Sequence, residues 1–223
     1  TIIQTPWFGE YQIGKLSLLA EQEGKETVFS RSLTYYLGIP VDLAITGTNL
    51  RFDDFDEPTI KKKLTSLFVP PRTIDHWRIW RYLSGKEIVW KIINLEDYGE
   101  KDLLPDDTEI FRIKPEKIDK QFWGYFSDPI VKKENLTMSV FNVGTKEGLA
   151  GKISAVPGNI GVRIVEVGSL DADVDDCRIN LSKPEYEQTA TVRRLTKVLG
   201  CPVEIKEKDS IGDLELLIKN VKI

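Results

Sequence analysis

The sequence predicts an α/β protein in two parts, a mixed α/β region over residues 1–130 and a small β-α-β-β-α-β two-layer sandwich over residues 135–223. Three observations carry this. Apolar residues switch repeatedly between a spacing of two and a spacing of three to four, the periods of strands and helices. From Leu136 onward the alternation of the two patterns becomes compact. Between the parts, "DPIVKKEN", Asp128 to Asn135, is charged and contains a proline, as a boundary does.

In the first part, "KETVFSRSLTYYLGIP" ends a mixed segment, Glu10 to Leu37, in a helix with Val28, Leu33, Tyr36 and Leu37 on one face; Gly38 and Pro40 stop it. "VDLAITG" alternates as a strand. "DEPTIKKKLTSLFVPP" sets Ile60, Leu64, Leu67 and Phe68 at helical spacing between Pro58 and Pro70-Pro71, with Lys61 to Lys63 outward. "RTIDHWRIWRYLSG" is a further helix with Ile74, Trp77, Trp80 and Leu83 on a broad face, ended by Gly85. "EIVWKIINL" and "TEIFRI" are strands, and "KPEKIDKQFWGYFSD" is a helix from Pro115 that buries Ile118, Phe122 and Phe126.

In the second part, "LTMSVFNV" is a strand and "TKEGLAGKISAV" a helix interrupted at Pro157-Gly158. "VRIVEVG" and "CRINLS" are strands. "KPEYEQTATVRRLTKVLG" is a helix capped by Ser182, with Tyr186, Ala190, Leu195, Val198 and Leu199 apolar and Gly200 at its end. "CPVEIKE" and "LELLIKN" close as strands, one more than the basic pattern.

Composition narrows the chemistry. With 41% hydrophobic and 30% charged residues the chain can build an ordinary core. It carries 31 basic and 35 acidic residues, and neither part is basic, so nucleic acid is not an expected partner. No run of about 18 apolar residues is present. The start at Thr1 rather than methionine is read as removal of an upstream segment bearing a signal or membrane anchor. His76 is the one histidine, and no paired-Cys or His spacing exists, so neither zinc nor most histidine-based catalysis is expected.

Several motifs invite sharper readings. "VFNVGTKEGLAGKIS" resembles a phosphate loop at Gly151-Lys152, yet Lys146 stands where the first glycine is required and Ile153 where the hydroxyl is. "DADVDD", Asp171 to Asp176, lacks the glycine and glutamate of a calcium loop, having Asp176 and Ser182 instead, and reads as an acidic turn. Trp77, Trp80, Trp90, Trp123, Tyr82 and Tyr125 either fill a core, the commoner use, or stack on sugar rings. Arg72, Arg78 and Arg81 are candidate anion-binding residues: Arg78 and Arg81, three apart on a helix, can grip an anionic headgroup together, or they are solvated flanks. Asn135 begins a glycosylation sequon, Asn-Leu-Thr. Cys177 and Cys201 are open to two readings, a bridge between a strand and the end of the helix after it, or two buried thiols.

At "NLTMSVFNVGTKEGLAGKIS", "GVRIVEVGSLD", "CRINLS" and "TVRRLTKVLGC" the chain resembles the LytR C-terminal domain. The likeness lies in Val140 to Asn142, Gly148 to Ala150, Val167-Gly168 and Leu199-Gly200, and departs at "AVPGNIG". This domain often follows a LytR-CpsA-Psr domain, which "GEYQIGKLSLLAEQEGKETVFSRSLTYYLGIPVDLAITGTNLRF" resembles, best over Leu37 to Asp42. Members of that family bind a polyprenyl pyrophosphate through arginines, hold magnesium through acids and transfer a glycopolymer to the cell wall. The acid and arginine of their first motif have no counterpart in "TIIQTPWF", and the later arginine motif survives at most as Arg78 and Arg81. The resemblance therefore implies a degenerate, non-catalytic protein of residues 1–130 and 135–223, anchored outside the bacterial cytoplasmic membrane. Its expected partner is a cell-wall glycopolymer or an envelope protein, with no cofactor. The alternatives are an active phosphotransferase, with magnesium on Asp53, Asp54 or Asp56, and a plain protein-interaction module.

Overall fold

The computed structural model describes residues 2–5, 9–12, 18, 26–41, 95–107, 109–122, 124–206 and 211–219. The chain divides into two compact units, Thr1–Ala44 with Leu95–Ile223, and Ile45–Asn94, and the described residues all belong to the first. The segment read as a boundary, 128–135, lies inside that unit. The strand expected at "VDLAITG" falls almost wholly outside the described residues, the two helices between Asp56 and Gly85 lie outside them, and so does the strand at "EIVWKIINL" except for its last residue, Leu95, which opens a 3-10 turn.

The architecture is mixed α/β with two sheets. The smaller sheet has the order β2-β1-β4-β3, from β1 (Ile2–Thr5), β2 (Gly9–Gln12), β3 (Gly99–Leu103) and β4 (Glu109–Ile113). β3 was not anticipated, because "GEKDL" is nearly all charged. It forms because those charges have cross-strand partners: Lys101 with Glu109 at 2.5 Å, Arg112 with Asp102 at 3.0 Å and Lys114 with Glu100 at 2.6 Å. Gly99 is required at its start, since a Cβ there would lie 2.3 Å from the ring of Phe111.

Helix α1 (Glu26–Leu37) turns out at Gly38, whose φ is +69°, and buries Phe29, Tyr35 and Leu37. Helix α2 (Pro115–Phe122) starts at its proline and buries Ile118 and Phe122, as its spacing predicts. Phe126 is only half-buried, in an aromatic group with Phe122 and Tyr125. The supposed linker holds α3 (Pro129–Glu134), capped by the Asp128 carboxylate, which accepts from Ile130 N at 2.8 Å.

The larger sheet runs β6-β5-β9-β7-β8, with β5 (Thr137–Asn142), β6 (Arg163–Ser169), β7 (Cys177–Leu181), β8 (Val203–Ile205) and β9 (Leu214–Ile218). Register puts Met138, Leu214 and Leu181 in one row, and Val140, Leu216, Ile179 and Val203 in the next. Against these rows pack Leu149, Ile153, Val156 and Ile160 of α4 (Leu149–Ile160) and Val192, Leu195, Val198 and Leu199 of α5 (Ala190–Leu199). The opposite face carries Ser139, Glu215, Asn180 and Glu204 in a polar row.

Two sequence expectations need correction. Pro157 does not interrupt its helix: α4 continues to Ile160. The missing N–H affects one bond near the end of the helix, and the last turn closes through Gly161 N to Pro157 O and Gly158 O and Val162 N to Pro157 O. Nor does Ser182 cap a helix through Leu199. Pro184–Gln188 forms a separate 3-10 turn, and α5 begins afresh at Ala190 with Thr189 as its cap. Ser182 instead donates its hydroxyl to Asp213 O at 2.9 Å.

Two carboxylates organise the loops. Asp213 accepts Thr137 N at 2.9 Å, Thr137 Oγ1 at 2.7 Å and Tyr186 OH at 2.9 Å, joining β5, β9 and the 3-10 turn. The hydroxyl of the sequon at Asn135 is thus committed to structure. Glu134 spans the first turn of α5, accepting Ala190 N and Thr191 N at 2.8 Å each and Thr191 Oγ1 at 2.6 Å. Burial opposes ionisation of both acids, but these donors outweigh it and hold each carboxyl below its ordinary value. Cys177 and Cys201 form a disulfide with an S–S distance of 2.05 Å, within the core between the start of β7 and the end of α5.

Because both acids have folded pKa values below their unfolded ones, their contribution is complete above about pH 4.5 and is lost as pH falls through the folded values. Asp213→Asn should cost about 1–3 kcal/mol in urea unfolding at pH 7, with the difference from the parent shrinking in acid. Removing the bridge as Cys177→Ala with Cys201→Ala, which frees a separation of 24 residues, should cost about 3 kcal/mol in the same assay.

Candidate functional site

Four segments distant in sequence meet around one half-open cavity of about 760 Å³, within the range of about 300–1,000 Å³ usual for small-ligand sites. They are the end of α1, the end of β4 with Lys114, the first turns of α2, and the loop and first turns of α4 from Lys146. Tyr36, Leu37, Ile113, Leu149 and Ile153 supply apolar surface. Lys120, Lys146 and Lys152 stand with Glu116, Asp119 and Glu147 among them.

Each wall is held in place by bonds made elsewhere. Tyr35 in α1 is buried and donates its hydroxyl to Leu199 O at 2.7 Å. Burial, only partly offset by Arg31, pushes its pKa far upward, so it stays a neutral donor. Tyr36 donates to Ile113 O at 2.9 Å, tying α1 to β4. Asn159 of α4, fully buried, donates from its amide nitrogen to Gly38 O and to Asp119 Oδ1, both at 2.8 Å. Gly200 ends α5 with φ +72°, and a Cβ there would lie 2.6 Å from the Arg31 guanidinium, so the end of the Arg31 side chain from α1 rests on the Gly200 backbone.

The α4 wall is the segment that resembled a phosphate loop. Asn142 shapes its entry, donating from Nδ2 to Lys146 O at 2.8 Å and accepting Gly144 N at 3.0 Å. Gly148, with φ +72°, opens the helix, and among the described residues no side chain caps it and nothing lies within 4 Å of a Cβ built on Gly148 or Gly151. Gly151 and Lys152 line the cavity as helical residues rather than as a loop around a phosphate.

Arg72, Arg78 and Arg81, the candidate anion clamp, lie outside the described residues, as do His76, Asp53, Asp54, Asp56, Tyr82, Trp77, Trp80, Trp90 and Trp123. Tyr125 is 53% exposed and rests edge-on against Phe122 and Phe126. "DADVDD" lies in an irregular loop between β6 and β7, anchored by burial of Val174. Among the described residues no group of three or more His, Cys, Asp or Glu is placed to hold a metal ion, and no helix is long and apolar enough to cross a membrane. The cavity residues themselves, Lys120, Glu116 and Lys152 above all, carry no sequence signal beyond belonging to helix faces, since only the packing of α1 against both α2 and α4 brings them together.

No family model, curated protein or solved structure matches the chain.

The cavity walls should loosen when their shared tether is cut. Asn159→Ala is expected to cost about 1–3 kcal/mol in urea unfolding and to shift the amide NMR signals of Gly38 and Asp119 while leaving those of β7 and β8 in place.

Proposed function

We propose that the chain is a degenerate LytR-CpsA-Psr-like protein with a LytR C-terminal domain at 135–223, working outside the bacterial cytoplasmic membrane in the binding or assembly of a cell-wall glycopolymer. The observation that carries this reading is the cavity of about 760 Å³, with two tyrosines and an ionic rim, lined on one side by the very stretch, Lys146 to Ile153, that bears the family likeness. Its described lining contains no serine, threonine, cysteine or histidine and offers ammonium groups, the Arg112 guanidinium, carboxylates and tyrosines. The Cys177–Cys201 disulfide supports an oxidising compartment.

A second reading, an active polyprenyl-pyrophosphate glycopolymer phosphotransferase using Arg72, Arg78 and Arg81 with magnesium, draws on the spacing of Arg78 and Arg81 in the sequence. The test is retention of isolated, protein-free bacterial wall polymer by the immobilised protein, and phosphate release from a polyprenyl-pyrophosphate substrate with magnesium. Retention that Lys120→Glu and Lys152→Glu together abolish, without phosphate release, is the expected result. Phosphate release lost in Arg78→Ala would replace this reading with the transferase, and no retention would remove the cavity from the account of function.

A further inference from the structure

The rim of the cavity carries charges of both signs, and its strongest cations are already engaged. Arg112 is paired with Asp102 at 3.0 Å and Lys114 with Glu100 at 2.6 Å, both on the β3 side. Lys120 and Lys152 stand against Glu116 and Glu147, a balanced set rather than a basic one, with Lys146 and Asp119 also on the rim. Among the described residues, Lys120, Lys152, Glu116 and Glu147 make no ion pair within 4.0 Å. Asp119 accepts a hydrogen bond from Asn159 and is thereby oriented.

A purely anionic chain would set its charges against three carboxylates, and a neutral polyol would leave both lysines and both glutamates unanswered. Like-charge contacts disfavour the first and unmatched desolvation the second. A ligand bearing both amines and carboxylates, with small apolar groups for the floor of Leu37, Ile113 and Leu149, matches the lysines and the glutamates together. We propose that the cavity binds the peptide portion of an envelope polymer, a short zwitterionic peptide, in preference to its sugar-phosphate backbone. This rests on the reading of the cavity as the envelope-polymer site.

The probes are the free tetrapeptide Ala-Glu-Lys-Ala, a neutral analogue with blocked ends and with glutamine and norleucine at its centre, and a polyglycerol phosphate chain. Each is titrated into the full chain by calorimetry, with amide NMR shifts at Gly148, Gly151 and Lys120 locating the site. Saturable binding of the free peptide there is expected, weakened about fivefold to tenfold by either Lys152→Glu or Glu116→Lys, with the neutral analogue at least about tenfold weaker still. Equal binding of the neutral analogue would overturn the proposal, because charge would not be read. Binding of polyglycerol phosphate alone would overturn it while leaving the glycopolymer function standing. Binding of no probe, or binding unaffected by both reversals, would also overturn it. Peptide binding together with failure to retain whole wall polymer would defeat the envelope-polymer reading and overturn the assignment of the peptide to such a polymer, leaving a site for free zwitterionic peptides.

Discussion

Asn159 lies in α4 with its side chain wholly out of solvent, and its one amide nitrogen serves two oxygens, Gly38 O and Asp119 Oδ1, at 2.8 Å each. An amide nitrogen has two hydrogens, so both bonds are made without competition. The consequence reaches three elements, because α1 ends at Gly38 and α2 carries Asp119. Among the described residues the amide oxygen of Asn159 has no hydrogen-bond partner, a penalty of about 1–3 kcal/mol that the surrounding packing offsets. Tyr35 on Leu199 O and Arg31 against Gly200 continue the same attachment along α1. Together with burial of the Tyr35 ring in the core cluster, these contacts hold α1 against the second half of the chain and give the cavity its wall.

What the sequence reveals of this follows from how local each cause is. Strands β5, β7 and β9 and helix α4 are legible because their apolar runs fill the core, β6 is legible although it leaves Val165 and Val167 exposed, and α1 is legible through its stop at Gly38. Helix α5 is legible at its end, where Gly200 takes the left-handed conformation. Its beginning is not: Thr189 and Glu134 make the cap, and Glu134 arrives from 56 residues away. Strand β3 is hidden for a similar reason, since Glu100 and Asp102 read as loop residues until Lys114 and Arg112 are seen beside them. Pro157 misleads because a proline is expected to stop a helix, whereas near the last turn its missing donor matters little.

The candidate site is the least legible feature. The stretch from Val140 to Ser154 resembles a phosphate loop without its essential glycine and hydroxyl, and its surface shares the cavity with Tyr36, Asp119 and Lys120, residues with no motif in common. Arg78 and Arg81 drew attention by their spacing and lie outside the described residues. The charges that matter sort by partner rather than by number. Glu134 and Asp213 are consumed in capping and loop closure, Glu100 and Asp102 in β3, while Glu116, Glu147, Lys120 and Lys152 face the cavity with no ion pair among the described residues. Structure and recognition thus draw on separate sets of carboxylates.

The central claim is that α1 and the larger sheet form one cooperative body, so that the cavity between α1, α2 and α4 is a fixed feature. Native-state hydrogen exchange across low concentrations of denaturant measures this directly. Amides of α1 from Ser32 to Leu37 are predicted to open with the same free energy and the same denaturant dependence as those of β5 and β9. Exchange of α1 through small local openings, with the sheet still fully protected, would contradict the claim.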